Sequence, residues 1–172
     1  MQIVTIQGTA LNILRYALGI LMMAYGLVKI LQIQFVLPPD VYNSQLNQLD
    51  GVTLTWAFLG FSSWFSTLLG AFELVPGFFL LFRKTKLLGI ILLLPSLLSV
   101  FLVNIAYDFL PYMKVLTGTL LLLDLMLLYP HRKILSSFVM NLLFLDSVTW
   151  KEAILNVLIL VLVTFFIIYH FM

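Results

Sequence analysis

The sequence predicts an all-α membrane protein, in which an antiparallel bundle of four transmembrane helices precedes a cytoplasmic interfacial helix and a fifth transmembrane helix. Of its 172 residues, 63% are hydrophobic and 9% are charged, whereas a soluble domain is about half apolar and about a quarter charged. Five apolar runs approach the roughly 20 residues that cross a bilayer. The net charge of +2 is too small to indicate a nucleic-acid partner.

The first span covers residues 9–31, and a polar segment, 32–55, follows it without a Lys or Arg. Within this segment Pro38-Pro39-Asp40 predicts the start of a short helix, 39–49, because proline fits the first helical turn and an acidic residue favours the N-terminus. The missing basic start and the position of Arg15 within the first span argue against a cleaved signal peptide.

Three further spans complete the predicted bundle. The second span, 56–82, contains one charged residue, Glu73, and the third span, 87–107, contains Asn104. The fourth span, 112–129, contains Lys114 and Asp124. The bundle with its loop therefore forms one predicted domain, residues 9–129, and residues 130–172 form a second region.

That second region begins with a stretch, 134–145, that is too short to cross a bilayer. Leu135, Phe138 and Leu142 recur at helical spacing with serines on the opposite side, which predicts a helix lying in the membrane interface. The last span is 153–172.

The basic residues predict the orientation in the membrane. The turns at 83–86 and 130–133 contain five of the nine Lys and Arg residues, and cytoplasmic loops are enriched in these residues. We therefore expect a cytoplasmic N-terminus, an extracytoplasmic segment at 32–55 and an extracytoplasmic C-terminus, most simply in a bacterial inner membrane.

Five residues of the first span share one helical stripe roughly 80° wide. They are Arg15, Gly19, Met22, Gly26 and Lys29. Cations in a membrane helix face protein, a wet cavity or the head groups rather than lipid, and glycines allow a neighbouring backbone to approach closely. The stripe is therefore predicted to be buried. In the second span Ser66, Gly70, Glu73 and Gly77 repeat the pattern.

Comparison of depths predicts an inner polar layer of Arg15, Glu73 and Asp124, with Arg15 serving both carboxylates. Two interpretations stay open: an ion pair that fixes helix register, or a cavity for an anionic or quinone-like head group. A second set is expected to converge near the outer edge, where the alternatives are lysines reaching the head groups or a ligand site. Its members are Tyr25, Lys29, Asn104, Tyr107, Asp108 and Lys114.

No phosphate loop, nucleophile elbow or zinc spacing is present in the sequence, and the two histidines are far apart, so no metal site is predicted and any catalytic residue is unknown. The absence of cysteine excludes disulfides, thiolate chemistry and cysteine-held iron–sulfur clusters. The chain therefore has no self-sufficient redox or catalytic motif.

Three motifs resemble the DoxX/DoxD-like family of small four-helix membrane proteins. They are Arg15-x3-Gly19, Tyr25-Gly26-Leu27-Val28-Lys29 and Gly70-Ala71-Phe72-Glu73-Leu74-Val75-Pro76-Gly77. The resemblance covers about residues 11–129, and the region 134–172 goes beyond the four helices of the family. The resemblance implies that Arg15, Lys29 and Glu73 correspond to the polar motif of the family.

Two functions follow as hypotheses. The first, which the resemblance favours, is a membrane subunit of a quinone-linked redox complex. We expect it to hold a quinone or lipid head group between the first, second and fourth spans, with Arg15 binding the polar end and Glu73 passing a proton. The alternative is a non-enzymatic accessory or assembly subunit that docks through residues 134–172. Both predict other membrane subunits or further copies of the chain as partners, in addition to lipid.

Overall fold

A computed structural model describes residues 2–143 and 149–171, and all regular structure within them is helical. The chain divides into two compact units, one ending at His131 and the other beginning at Arg132. The helices are α1 (Gln2–Ile30), α2 (Gly51–Gly60), α3 (Ser63–Leu81), α4 (Lys86–Ala106), α5 (Pro111–Leu128), α6 (Arg132–Leu143) and α7 (Trp150–Phe171).

Five helical stretches are long and apolar enough to cross a membrane, as the composition predicts, and the fourth of them runs through α5, the 3₁₀ turn Tyr129–His131 and most of α6. They are Thr9–Ile30, Ser63–Leu81, Lys86–Ala106, Pro111–Asn141 and Trp150–His170. The chain is therefore an integral membrane protein. Most predicted ends of spans agree with the structure within a few residues, and the predicted ends at 145 and 172 lie outside the described residues.

The second span starts at Ser63 in the structure, later than the predicted start at residue 56. The predicted span 56–82 is interrupted at Phe61 and Ser62, where Ser62 has an extended conformation (φ −113°, ψ 114°). Gly60 lies against the backbone of Phe35, so that an added Cβ would come within 2.6 Å of the Phe35 carbonyl oxygen. The structure therefore has a separate short helix, α2, before the span, and this helix ends at the contact with Phe35.

The predicted short helix at 39–49 is also different in the structure. It consists of two 3₁₀ turns, Pro39–Asn43 and Leu46–Gln48. The residues between them, Ser44 and Gln45, have extended backbone conformations, so the polar segment does not continue as one α-helix.

In the first unit, α1, α3, α4 and α5 contact one another in cyclic order: α1 with α3, α3 with α4, α4 with α5, and α5 with α1. Their shared core is aliphatic. It contains Leu18, Met22, Leu80, Ile90, Leu93, Leu97, Leu120 and Leu127. The most extensive of these contacts joins α1 to α3.

α1 and α3 run antiparallel, and their backbones approach each other closely at two reciprocal glycine pairs. An added Cβ on Gly26 would lie 2.6 Å from the carbonyl oxygen of Gly70, and one on Gly70 would lie 2.5 Å from that of Gly26. About two turns away, Gly19 and Gly77 approach each other in the same way, at 2.9 Å in both directions. The two backbones therefore touch at two levels, which side chains larger than hydrogen would prevent.

Two helix ends use left-handed residues other than glycine. At the end of α1, Gln32 has φ 59°, and the N–H of Ile33 donates to the carbonyl of Val28 at 2.9 Å. At the end of α4, Asp108 has φ 49°, and the N–H of Phe109 donates to the carbonyl of Asn104 at 3.0 Å. These are Schellman-type ends, which satisfy carbonyls that a helix leaves unpaired.

The second unit contains α6 and α7. Between Glu152 and His170, the side chains of α7 are apolar apart from Asn156, Thr164 and Tyr169. In a membrane helix such side chains face lipid or another subunit.

Candidate functional site

The predicted stripe of α1 is buried along its whole length. Arg15 is 2% exposed, Met22 2% and Lys29 6%, and both glycines are buried. The matching stripe of α3 is buried as well, in Ser66, Gly70, Glu73 and Gly77. The two stripes face each other across the glycine contacts.

Lys29 and Glu73 form a buried ion pair, in which Lys29 Nζ donates to Glu73 Oε1. Ser66 Oγ donates to the backbone carbonyl of Lys29 at 3.2 Å, which adds a second link between the helices. The predicted layer of Arg15, Glu73 and Asp124 is therefore wrong in its assignment of Glu73. The ammonium of Lys29 also does not reach toward the head groups, because it binds Glu73.

Side-chain direction explains this pairing. Lys29 and Glu73 each lie three residues beyond a glycine of the Gly26–Gly70 crossing, about 4.5 Å along each helix axis. Side chains of a helix lean toward its N-terminus. Because α1 and α3 are antiparallel, both side chains lean toward the crossing from opposite sides and meet there.

Arg15 caps the C-terminal end of α3. Its Nη1 donates to the carbonyl oxygen of Leu80, which belongs to the last turn, where carbonyls lack intrahelical partners. A cation there also interacts favourably with the helix dipole. The guanidinium lies 4.2 Å from the centroid of the Tyr16 ring. The remaining nitrogens, Nε and Nη2, are buried and have no hydrogen-bond partner among the described residues.

Asp124 is the most buried charged residue, with 0% exposure. It lies on the core-facing side of α5, one turn from Leu120 and Leu127, and neither carboxylate oxygen has a hydrogen-bond partner in the described part of the chain. The salt bridges found among the described residues are Lys29–Glu73 and Lys114–Asp108. Arg15 therefore does not pair with Asp124, and both keep unused hydrogen-bonding capacity.

The predicted outer set separates into different pairs. Asn104 Nδ2 donates to Thr117 Oγ1 at 3.1 Å, and both residues are buried. Lys114 Nζ donates to Asp108 Oδ1, where Asp108 is exposed. The hydrogen bond from Lys114, followed by its positive charge, lowers the pKa of Asp108 below its usual value.

Sequence reasoning missed Ser66 as a partner of Lys29 and Thr117 as a partner of Asn104. A signal for Thr117 was present, because Thr117, Leu120, Asp124 and Leu127 repeat at spacings of three, four and three and all four are buried. Of the other members of the outer set, Tyr25 packs partly buried against the core, and Tyr107 is 42% exposed.

The described residues contain no cluster of three or more His, Asp or Glu side chains that could hold a metal ion. Among the described residues, the polar interior of the first unit thus includes the Lys29–Glu73 ion pair, in which Glu73 Oε2 has no hydrogen-bond partner, and the Asn104–Thr117 pair. It also includes Arg15 and Asp124, two further charged groups with unused hydrogen-bonding atoms.

These features define an integral helical membrane protein whose first unit contains buried polar and charged side chains. Among known proteins, the chain is similar to the Bacillus subtilis (strain 168) protein described as "Uncharacterized protein YwoB". The two are 27% identical over 110 residues, which cover 63% of this chain and 68% of that protein. No family model and no solved structure matches the chain.

Proposed function

We propose that this chain is an integral membrane subunit that binds the oxygen-bearing head group of an amphiphile beside Arg15. The single observation that carries this proposal is that Arg15 is 2% exposed and retains two buried nitrogens without partners among the described residues. A charged side chain in a bilayer is costly unless other groups satisfy it. The carbonyl of a quinone or the phosphate of a phospholipid supplies the acceptor oxygens that a guanidinium binds.

In this proposal α1, α3, α4 and α5 form an antiparallel transmembrane bundle, with the head group between α1, α3 and α5. The DoxX/DoxD resemblance favours the quinone. Asp124 provides the second polar contact, because its carboxyl group can hydrogen-bond a hydroxyl or an ammonium of the head group. In this proposal Glu73 serves as the counterion of Lys29 and not as a proton-transfer group at Arg15.

The experiment is purification in a mild detergent, followed by native mass spectrometry and analysis of the extracted lipids. We expect one quinone or phospholipid per chain beyond the exchangeable detergent-lipid shell, and retention on the order of ten-fold weaker in Arg15→Ala, since a charge-assisted hydrogen bond contributes about 1.5–3 kcal/mol. Arg15→Lys keeps the charge without the planar fork, and we expect intermediate retention. Lys114→Ala is the matched control, because Lys114 is a cation whose partner is exposed.

The analysis distinguishes a bound quinone from a bound phospholipid. A quinone appears by its absorbance and exact mass in the extract, whereas a phospholipid appears by its phosphorus content. Equal retention of the amphiphile in Arg15→Ala and in the unmodified chain would contradict the proposal.

The second candidate is a non-enzymatic accessory or assembly subunit that docks through the region from Arg132 onward. The observation that favours it is that α7 contains a stretch long and apolar enough to form a span of its own outside the first unit, in which Asn156 supplies a polar group for an interhelical contact. Replacing Trp150–Phe171 with a leucine-rich helix of equal length should release a partner subunit while the first unit still folds. Undiminished co-purification of the partner would contradict this function.

A further inference from the structure

We propose that α2 and its junction with α3 form an interfacial anchor, whose partner is the lipid bilayer at the N-terminal end of α3. The anchor is defined here as Gly51–Gly60 together with Phe61, Trp64 and Phe65. It is independent of the head-group site, which lies at the other end of α3.

The composition and length of α2 suit such a position. Its sequence GVTLTWAFLG has no charged residue, and ten residues extend about 15 Å, half of what a span requires. Asp50 caps the N-terminus of the helix, because its carboxylate accepts hydrogen bonds from the Thr53 N–H at 2.9 Å and from the Thr53 hydroxyl at 2.7 Å. An apolar helix with a polar end fits the boundary between lipid and water.

One side of α2 is fixed to the protein. An added Cβ on Gly51 would lie 2.2 Å from the carbonyl oxygen of Tyr107, which follows α4. The rings of Trp56 and Phe35 pack edge to face, with centroids 6.1 Å apart. These contacts hold α2 against Tyr107, which directly follows α4, and against Phe35 in the segment after α1.

The other side presents large aromatic side chains. Phe58 is 69% exposed, Phe61 80% and Trp64 69%. Phe58 and Trp64 are joined into one patch by Phe65, whose ring centroid lies 6.2 Å from that of Phe58 and 5.9 Å from that of Trp64. The ring of Phe61 lies beside that of Tyr42, with centroids 6.4 Å apart. A patch of this kind in water would favour association or aggregation.

The position of the patch along α3 identifies lipid as the partner. Trp64 is the second residue of the candidate span Ser63–Leu81, and it begins an exposed apolar stripe that continues through Leu68, Phe72 and Val75 at helical spacing. In a membrane-spanning helix such a stripe faces lipid. The patch continues this lipid-facing surface to the end of the span, at the level where Trp residues are enriched in membrane proteins.

Tryptophan fluorescence in phosphatidylcholine vesicles tests this proposal. The chain has three Trp residues, so Trp56→Phe combined with Trp150→Phe leaves Trp64 as the reporter. In a background with Trp64→Phe added, Phe58→Trp reports on α2, and Phe61→Trp serves if that variant does not fold by circular dichroism. Gln48→Trp, in the exposed 3₁₀ turn Leu46–Gln48, is the matched control.

We expect phosphatidylcholine brominated near the carbonyl end of its acyl chains to reduce the emission of the Trp64 and Phe58→Trp reporters roughly two-fold, because rings at head-group level touch that region. Aqueous iodide should quench these reporters weakly and the Gln48→Trp control strongly. Iodide quenching of Trp64 and Phe58→Trp equal to that of the control would overturn the proposal. Lipid quenching of Trp64 alone would also overturn it, because α2 would then face water or a protein partner.

Discussion

Lys29 and Glu73 lie where α1 and α3 come into backbone contact, and each is almost completely buried. Replacing a buried ion pair with well-packed hydrophobic residues often leaves stability unchanged or raises it, but the loss of one partner leaves an uncompensated buried charge. The pair should therefore matter most as a device that fixes the register of two apolar helices, which is the first of the two interpretations that the sequence leaves open for buried charges.

Variants of this pair should show strong coupling. Lys29→Met should destabilise the first unit by about 3–5 kcal/mol, because Glu73 stays buried without its partner. Lys29→Met combined with Glu73→Gln should cost clearly less than the sum of the two single changes. Unfolding in mixed detergent micelles measures both, with Lys114→Met as the control for an ion pair at the surface. Simple additivity of the two changes would disprove the coupling.

Asp108 combines a left-handed backbone with an exposed ion pair. Because Lys114 lowers the pKa of Asp108 in the folded state, its charge contributes stability above the ordinary pKa of about 3.9, and this contribution is lost as the pH falls through the lowered folded value. The effect should be small, since the pair is open to solvent.

Asp108→Asn isolates this charge, because Asn also tolerates the left-handed conformation. We expect the unmodified chain to have a slightly higher Tm than this variant at pH 7, and the difference to shrink as the pH falls below about 4. A Tm difference that stays constant over this pH range would show that the charge of Asp108 has no role.

At the scale of the elements, the α1–α3 contact depends on the absence of side chains at four positions. Both carbonyl-to-Cβ distances at the Gly26–Gly70 crossing would be below 2.7 Å, and the obstructing atoms belong to backbone, which cannot rotate away. The sequence spacing predicts that these glycines are buried and face a neighbouring helix, but it does not show which helix or in what register.

A comparison of two glycines tests this contact. Gly26→Ala should force the helices apart and cost about 1–3 kcal/mol. Gly118→Ala in α5 should be nearly neutral, because the nearest atoms belong to the Phe101 ring, at 3.0 Å or more, and alanine favours helix by up to about 1 kcal/mol. The free energy of unfolding of each variant in detergent tests this prediction. Equal effects of the two changes would argue against a backbone crossing at Gly26.

At the scale of the whole molecule, the distribution of Lys and Arg predicts the orientation, and the absence of cysteine makes it easy to test. Ser44→Cys in the polar segment and Lys84→Cys in the basic turn are both exposed positions. In intact cells, an impermeant thiol reagent should label Ser44→Cys and should label Lys84→Cys only after lysis. The reverse pattern would invert the proposed topology.

The sequence by itself determined that this is a helical membrane protein, where most of its spans lie and which faces of α1 and α3 are buried. These properties depend on local composition and on the periodicity of a single helix, which can be counted along the chain. These properties can therefore be predicted without knowledge of which helices are neighbours.

Only the tertiary structure decided which polar groups meet. Glu73 binds Lys29 rather than Arg15, Arg15 caps α3, and Asp124 stays unpaired by the described residues. Depth along a helix could not predict this, because the pairing depends on the register set by the glycine crossings and on the lean of long side chains toward opposite ends. The break before Ser63 likewise directly follows the contact of Gly60 with Phe35, a contact between residues distant in sequence.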